Sequence, residues 1–222
     1  MILAIVCVGE SYKDEPIKIL PEIERFIKNG WEVHILTDNP NAFTIGEVHL
    51  YKNKIFSYVD KLLFTFNLIK DKKQCVLYAD HNWLSNLNDT FINEFKKTND
   101  IVYFEHWGVL NENELWDPIW KKFDDYRLDY FNDLYEYFDY IGYEYRDLIT
   151  IRECFLYIPY NELIDEFIFE VEKIKPVLEY IGIKYNKGNC DSYGKSEGLA
   201  LAIIIDKYKL NTAQLDRKYL EM

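Results

Sequence analysis

The segment of residues 75–82, with the sequence CVLYADHN, constrains the fold more than any other part of the chain. Its five hydrophobic residues end abruptly at Asp80, His81 and Asn82. A short apolar run is typical of a strand that is covered on both faces of a sheet. Ligands of open α/β folds bind beyond the carboxyl ends of such strands. Residues 80–82 therefore form either a ligand site or an ordinary polar turn.

The chain before this segment alternates between strand and helix patterns. Apolar runs predict strands over residues 2–8, 31–36, 48–51 and 75–79. Helical spacing predicts helices over residues 17–28 and 58–69. Asn29 and Gly30 are expected to close the first helix, and Ser57 is expected to cap the second. This order indicates an α/β fold with a doubly wound, mostly parallel sheet.

Three polar turns follow strands of this predicted sheet. Right-handed crossovers would bring Gly9, the Thr37-Asp38 turn and residues 80–82 to one edge of the sheet. Residues 9–11 lack the full G-x-G-x-x-G pattern, so a dinucleotide-binding fingerprint is absent. Backbone contacts to a base or a ribose remain open at this turn. We therefore expect one polar pocket at this edge.

The second half of the chain has a looser pattern. It predicts a helix over residues 87–97, strands over 101–104 and 148–158, a helix over 160–181 that is broken near Pro176, and a buried helix over 196–205. Residues 106–147 are acidic and rich in aromatic side chains, including Trp116 and Trp120. Such rings suit sugar binding, although most of them are expected in the core. No repeat or linker interrupts the chain, so we predict one domain over residues 1–222.

Composition excludes some classes of partner. The 26 basic and 38 acidic residues give a net charge of −12, which argues against a nucleic-acid-binding surface. Cys7, Cys75 and Cys154 lie in apolar runs and are expected to be buried free thiols in a reducing compartment. The amino terminus lacks a basic segment, and no apolar run is long enough to span a membrane. We therefore expect a cytoplasmic protein with no transmembrane segment.

The order and spacing of these motifs resemble those of GT-A glycosyltransferases, which use nucleotide-sugar donors. Residues 76–82 are similar to the strand that carries the D-x-D metal motif of the family, with Asn82 at the second acidic position. Residues 57–63 resemble the segment before that strand, including a lysine at Lys61, and Thr37-Asp38 matches a turn that contacts the nucleotide. The resemblance implies a GT-A-like mixed, mostly parallel Rossmann-like sheet. Residues 1–110 would form the donor half, and residues 111–222 the acceptor half and carboxyl-terminal helices.

The resemblance also implies an activity: transfer of a hexose from a nucleotide-sugar, with UDP-sugar favoured, to a hydroxyl of a glycan or other acceptor. The implied donor-binding residues are Val8, Gly9, Thr37, Asp38, Lys61, Asp80, Asn82 and Lys195. The implied acceptor-binding residues are Glu105, His106 and Trp107. Glu197 or Asp191 would lie at the reacting sugar as the catalytic residue. A retaining outcome is slightly favoured, and the stereochemistry stays open.

A cation is expected to stabilise the departing nucleoside diphosphate, because negative charge develops on its bridging oxygen. Asp80 and Asn82 would hold Mn²⁺ or Mg²⁺, with Asn82 contributing a weaker neutral ligand or a hydrogen bond to the donor sugar. Metal-independent action is also open, with Lys195 or Lys187 as the cation. Two rival functions remain. One is a catalytically inactive GT-A-like binding module, and the other is a nucleotidyltransferase on a similar sheet.

Overall fold

The computed structural model describes residues 1–9, 15–53, 56–87, 92, 98–110, 136, 139, 148–185, 192–193 and 197–215. Its strands are β1 (Ile2–Cys7), β2 (Glu32–Thr37), β3 (Glu47–Leu50), β4 (Phe56–Ser57), β5 (Val76–Ala79), β6 (Ile101–Leu110), β7 (Leu148–Ile158), β8 (Ser192–Tyr193) and β9 (Thr212–Leu215). Its helices are α1 (Glu15–Lys28), α2 (Val59–Lys72), α3 (Ile164–Tyr185) and α4 (Glu197–Tyr208). Short 3₁₀ helices run over Pro40–Ala42 and His81–Asn86.

Seven of the described strands form one mixed sheet in the order β3-β2-β1-β5-β7-β6-β9. Strands β3, β2, β1 and β5 are parallel, β7 is antiparallel to both of its neighbours, and β9 is parallel to β6. The short strands β4 and β8 pair separately and in parallel. The predicted α/β fold with a mostly parallel mixed sheet is therefore confirmed.

The central strands are apolar throughout because both faces of the sheet are covered. Ile2 and Tyr78 belong to a core that α2, α3 and α4 complete, where Phe66 and Phe167 have ring centres 5.9 Å apart. Leu3 and its neighbours on the other face pack against α1 and the 3₁₀ helix that follows β5. Alternate residues of each strand thus enter different cores.

The start of α2 differs from the prediction. Ser57 was expected to cap the helix, but it lies in β4, and the capping position is taken by Tyr58 without a side-chain hydrogen bond. The Oγ of Ser57 is buried and has no hydrogen-bond partner in the described part of the chain. Pairing of Phe56 and Ser57 with β8 keeps this serine in an extended strand, which moves the helix start downstream.

The predicted break near Pro176 is wrong, because α3 continues through this proline to Tyr185. Ile174 and Leu178 lie on either side of Pro176, and both are buried in the core shared with α2 and α4. Packing on both sides thus holds the helix together although proline removes one backbone hydrogen bond. The buried helix predicted over residues 196–205 is confirmed as α4, whose residues from Ala200 to Ile205 are buried.

Other sequence predictions are confirmed or shifted slightly. The left-handed Gly30, with a φ of 81°, follows α1 as the expected closing residue. Among the described residues, Cys7, Cys75 and Cys154 form no disulfide; the first and third are buried and Cys75 is half-buried. Of the helix predicted over residues 87–97, only residues 87 and 92 are described. No helix among the described residues combines the length and apolar character needed to cross a membrane.

Candidate functional site

The turns after β1 and β2 meet at the edge of the sheet where the parallel strands end. Cys7 at the end of β1 pairs with Thr37 at the end of β2. In the same register, β5 ends at Ala79, two positions before the other two strands, so all three strands end at this edge but not at the same level. The backbone N–H of Gly9 donates to Oδ2 of Asp38 at 3.1 Å. The structure thus brings these two predicted donor-site residues together.

The backbone conformation of Gly9 explains its residue type. Its φ is 102°, a value that side-chain-bearing residues rarely adopt, although a Cβ at this position would meet no atom within 4 Å. Neighbouring Val8 is buried in the core, so only its backbone is available to a ligand. The hydroxyl of Thr37 accepts a hydrogen bond from the N–H of Asn39 at 3.1 Å, within the turn that follows β2.

Asp80 follows β5, and the backbone on both sides holds it in place. Its N–H donates to the carbonyl of Cys154 on β7 at 3.0 Å, and its carbonyl accepts from the N–H of Trp83 at 2.8 Å. Its Oδ1 accepts from Lys61 Nζ at 3.1 Å and from the Tyr78 hydroxyl at 2.5 Å. Oδ2 receives no hydrogen bond from the described residues, and 29% of the side chain is exposed. One carboxylate oxygen is therefore anchored, and the other remains for a ligand.

Lys61 of α2 forms an ion pair with this carboxylate. It lies in the first turn of α2, and only 7% of its side chain is exposed. Its ammonium is 4.5 Å from the ring centre of Tyr58 and 5.7 Å from that of Tyr78. A buried ammonium needs such compensation, because removing a charge from water is costly. Lys61 thus fixes Asp80 and also offsets part of its negative charge.

Tyr78 was missed as a site residue, although the sequence carries a signal for it. Alternate residues of a strand share a face, so Tyr78 and Asp80 project to the same side of β5. That side also faces α2, where Lys61 lies. Strand alternation could therefore have placed Tyr78 beside Asp80. Lys61 was already expected at the donor site from the resemblance, and the structure brings it into contact with Asp80.

A second buried network surrounds Asp60, the residue before Lys61 in the first turn of α2. The Tyr51 hydroxyl donates to Asp60 Oδ2 at 2.7 Å, and Lys175 of α3 contacts Asp60 Oδ1 at 2.5 Å. Burial, together with the hydrogen bond to Asp60, raises the pKa of Tyr51 well above its ordinary value. No sequence pattern pointed to this network, which ties the loop after β3 and helix α3 to the start of α2.

Asn82 lies two residues after Asp80, in the 3₁₀ helix of residues 81–86 that Asp80 precedes. Its side chain is exposed and makes no hydrogen bond to any other part of the chain that the structure describes. An exposed amide without an internal partner is available to a ligand. His81, which was not expected to take part, is half-buried.

The predicted acceptor residues occupy a different setting from the one expected. Glu105, His106 and Trp107 were expected to follow a short strand of residues 101–104, but their backbone lies inside β6, which continues to Leu110. The reason is that β6 pairs with the long strand β7 across register shifts on both sides of Glu105. The three residues therefore belong to a strand and not to the loop after it.

The remaining candidates fall late in the chain. Glu197 is the first residue of α4. Asp191, Lys187 and Lys195, as well as Trp116 and Trp120, lie outside the described residues. Their relation to Asp80 stays a prediction.

A cavity of about 200 Å³ opens at the opposite edge of the sheet. It is lined by Ile101 at the start of β6, Ile158 at the end of β7 and Phe167 of α3, among other residues. None of the predicted site residues borders it. The candidate donor site is therefore the open edge around Asp80, and not this cavity.

Comparison with protein-family models finds no match, and comparison with curated proteins finds no similar sequence. The chemistry of the site must therefore be inferred from its own residues.

Proposed function

We propose that this protein is a GT-A-type glycosyltransferase that moves a hexose from a nucleotide-sugar, in particular a UDP-sugar, to a hydroxyl acceptor such as a glycan. The observation that carries the proposal is the anchored carboxylate of Asp80. It follows a buried parallel strand at the edge of the sheet where Gly9 and Asp38 also meet. This is the place where open α/β sheets bind nucleotides.

The residues around Asp80 suit a divalent cation that is shared with a diphosphate. Mg²⁺ and Mn²⁺ prefer oxygen ligands, and Mg²⁺ in particular is often held by only one or two carboxylates together with substrate phosphates. Asp80 Oδ2 and the Asn82 amide oxygen supply such a partial set. The cation would stabilise charge on the departing nucleoside diphosphate. Lys61 fixes the position of Asp80, so the ligand oxygen is ordered before the donor binds.

The Gly9–Asp38 contact supports binding of the nucleoside part. An exposed carboxylate beside a backbone turn can accept hydrogen bonds from ribose hydroxyls. Its hydrogen bond to the N–H of Gly9 holds it at the edge of the sheet. The nucleoside would then lie over β1 and β2, with the diphosphate directed towards Asp80.

A thermal-shift assay against UDP-, GDP- and CMP-sugars, with and without Mn²⁺, tests this proposal. We expect stabilisation by at least one sugar nucleotide and slow hydrolysis or transfer of the same donor. Asp80→Ala should abolish the metal-dependent part of the shift. Asp165→Ala is the matched control, because it removes an exposed aspartate whose partner is Lys70 on the surface. Absence of a shift with every donor would contradict the proposal.

A catalytically inactive binding module is the second candidate. It is favoured by Asn82 in place of an acid and by Lys61, because both reduce the negative charge available to a cation. Stabilisation by a sugar nucleotide without any turnover would support this alternative.

A further inference from the structure

The tripeptide Glu-Val-His occurs twice in the chain, at residues 32–34 and 47–49. The two copies lie on the neighbouring parallel strands β2 and β3, and the register pairs His34 with Glu47 and Leu36 with His49. Because alternate residues of a strand share a face, Glu32, His34, Glu47 and His49 all project to the same side of the sheet. Helix α2 covers this side, with Phe64 at 5.2 Å from the His49 ring.

The four side chains are in close contact. Nδ1 of His34 is 2.9 Å from Nε2 of His49, and Nε2 of His34 is 2.9 Å from Oε1 of Glu32. The carboxylate oxygens of Glu47 lie 3.7 Å from each of the first two nitrogens. The side chain of His34 is fully buried, whereas 33% of His49 and 53% of Glu47 are exposed. His34 is therefore enclosed by the protein, whereas solvent and dissolved ions can reach His49 and Glu47.

We propose that His34, Glu47 and His49 bind Zn²⁺, or a transition-metal dication of similar ligand preference, at a site separate from Asp80. The three candidate ligand atoms lie within 4.8 Å of one another. Two imidazole nitrogens and one carboxylate oxygen form a ligand set that zinc uses, with the fourth position left to water. His34 is three residues before the end of β2, which places the site about 10 Å from the edge that carries Asp38.

Small movements convert the observed geometry into a tetrahedral site. With Zn–N distances of about 2.1 Å, two tetrahedral nitrogens lie about 3.4 Å apart. The histidine nitrogens, now at 2.9 Å, must separate by about 0.5 Å. Glu47 presents a different oxygen to each nitrogen at 3.7 Å, and the candidate ligand atoms lie within 4.8 Å of one another. A single Glu47 oxygen must therefore approach one nitrogen by about 0.3 Å and the other by up to about 1.4 Å. Rotations of the partly exposed His49 and Glu47 side chains suffice, so the buried His34 can stay in place.

Glu32 prepares His34 for this role. In the tautomer that carries its proton on Nε2, His34 donates a hydrogen bond to Oε1 of Glu32, and the lone pair of Nδ1 faces His49 and Glu47. A carboxylate that accepts from the outer nitrogen of a ligand histidine is the usual support of zinc sites. Binding requires only that the neutral His49 carry its proton on Nδ1 rather than Nε2, so the protons balance without release.

The charges around the site favour a cation. With neutral rings, Glu32, Glu47 and Lys72 sum to one negative charge. Lys72 pairs with Glu32 and lies 3.5 Å from Glu47. A bound dication would displace the ammonium from Glu47, while Lys72 keeps its contact with Glu32. Imidazole ligands disfavour Mg²⁺, which separates this site from the oxygen-rich donor site.

Titration of the metal-stripped 222-residue chain with Zn²⁺ in a calorimeter tests the proposal, and Co²⁺ absorption in the visible range reports the coordination. We expect one bound ion, with Mg²⁺ failing to compete. His49→Gln and Glu47→Gln each remove a ligand at a partly exposed position and should weaken binding by at least about 100-fold, whereas Glu32→Gln should weaken it by about 10-fold to 100-fold. Glu24→Gln, which removes an exposed glutamate of α1, is the matched control and should bind as the wild type does.

Circular dichroism of each variant separates loss of binding from loss of folding. Three results would overturn the proposal. One is a wild-type chain that does not bind Zn²⁺, and another is undiminished binding by both folded ligand variants. The third is an intense near-ultraviolet sulfur-to-Co²⁺ band, because it would assign the metal to cysteine.

Discussion

The contact between Lys61 and Asp80 predicts a measurable coupling energy. At the observed distance of 3.1 Å, two unit charges attract by about 1.3 kcal/mol with the dielectric constant of water and by about 5.4 kcal/mol with an effective value of about 20. The lysine side chain is 7% exposed and the aspartate side chain 29%, so the effective dielectric constant lies between these two values. We therefore expect a coupling free energy of about 2–3 kcal/mol.

A double-mutant cycle measures this coupling. Lys61→Met keeps an unbranched side chain that is one atom shorter, and Asp80→Asn keeps the shape of the aspartate. Urea unfolding at neutral pH gives the free energy of unfolding of each variant and of the double variant. The pair Lys70–Asp165 is the control, because its charges lie closer, at 2.6 Å, but are exposed by 48% and 66%. Its coupling should be smaller, since solvent screens exposed pairs.

The outcome decides whether Asp80 is anchored by its lysine. If the coupling between Lys61 and Asp80 is no larger than that of the surface pair, the reasoning from burial is refuted. Lys61 would then not account for the ordering of the Asp80 carboxylate, and the proposed donor site would lack this support.

Further predictions concern stability. Phe66→Ala should lower the free energy of unfolding by about 3–5 kcal/mol because the ring is fully buried, whereas Phe169→Ala on the surface should have little effect in urea unfolding. Gly30→Ala should cost about 1–2 kcal/mol in the same assay, because φ is 81° there. Zn²⁺ at about 100 times its dissociation constant should add about 2.7 kcal/mol, an increase that EDTA removes, as a thermal melt can show. Burial raises the pKa of Tyr157, with a contribution from Cys75, so above about pH 10 the unfolded chain releases a proton that the folded chain keeps, and stability falls with rising pH. Unfolding titrations at alkaline pH should show a shallower loss of stability for Tyr157→Phe than for the wild-type chain.

Much of the fold could be predicted because its signals are local. Strands buried on both faces read as apolar runs, and this located β1, β2 and β5 within one or two residues. The left-handed Gly30 after α1 is equally local, because its glycine is required by backbone geometry. The failures at Ser57 and Pro176 share one cause: pairing with β8 and packing of α3 against its neighbours overruled the preference of a single residue.

In the candidate sites, too, some features could be predicted from the sequence and others depend on the tertiary structure. Asp80, Gly9 and Asp38 were found from the sequence because each follows a strand, and parallel strands end at a common edge. The doubled Glu-Val-His pattern was equally visible in the sequence, but its meaning depends on the register that sets His34 opposite Glu47. A shift of one residue would have sent one histidine to the other face.

The sequence by itself therefore determined the alternation of strands and helices, the faces that each strand buries and the polar residues that end the parallel strands. Only the tertiary structure decided which charges meet, as when Lys61 reaches Asp80 across 19 positions or Lys175 reaches Asp60 across 115. The physical reason is that periodicity specifies the direction of a side chain relative to its own element. The partner of that side chain depends on strand order, register and helix packing, which are set by the whole core.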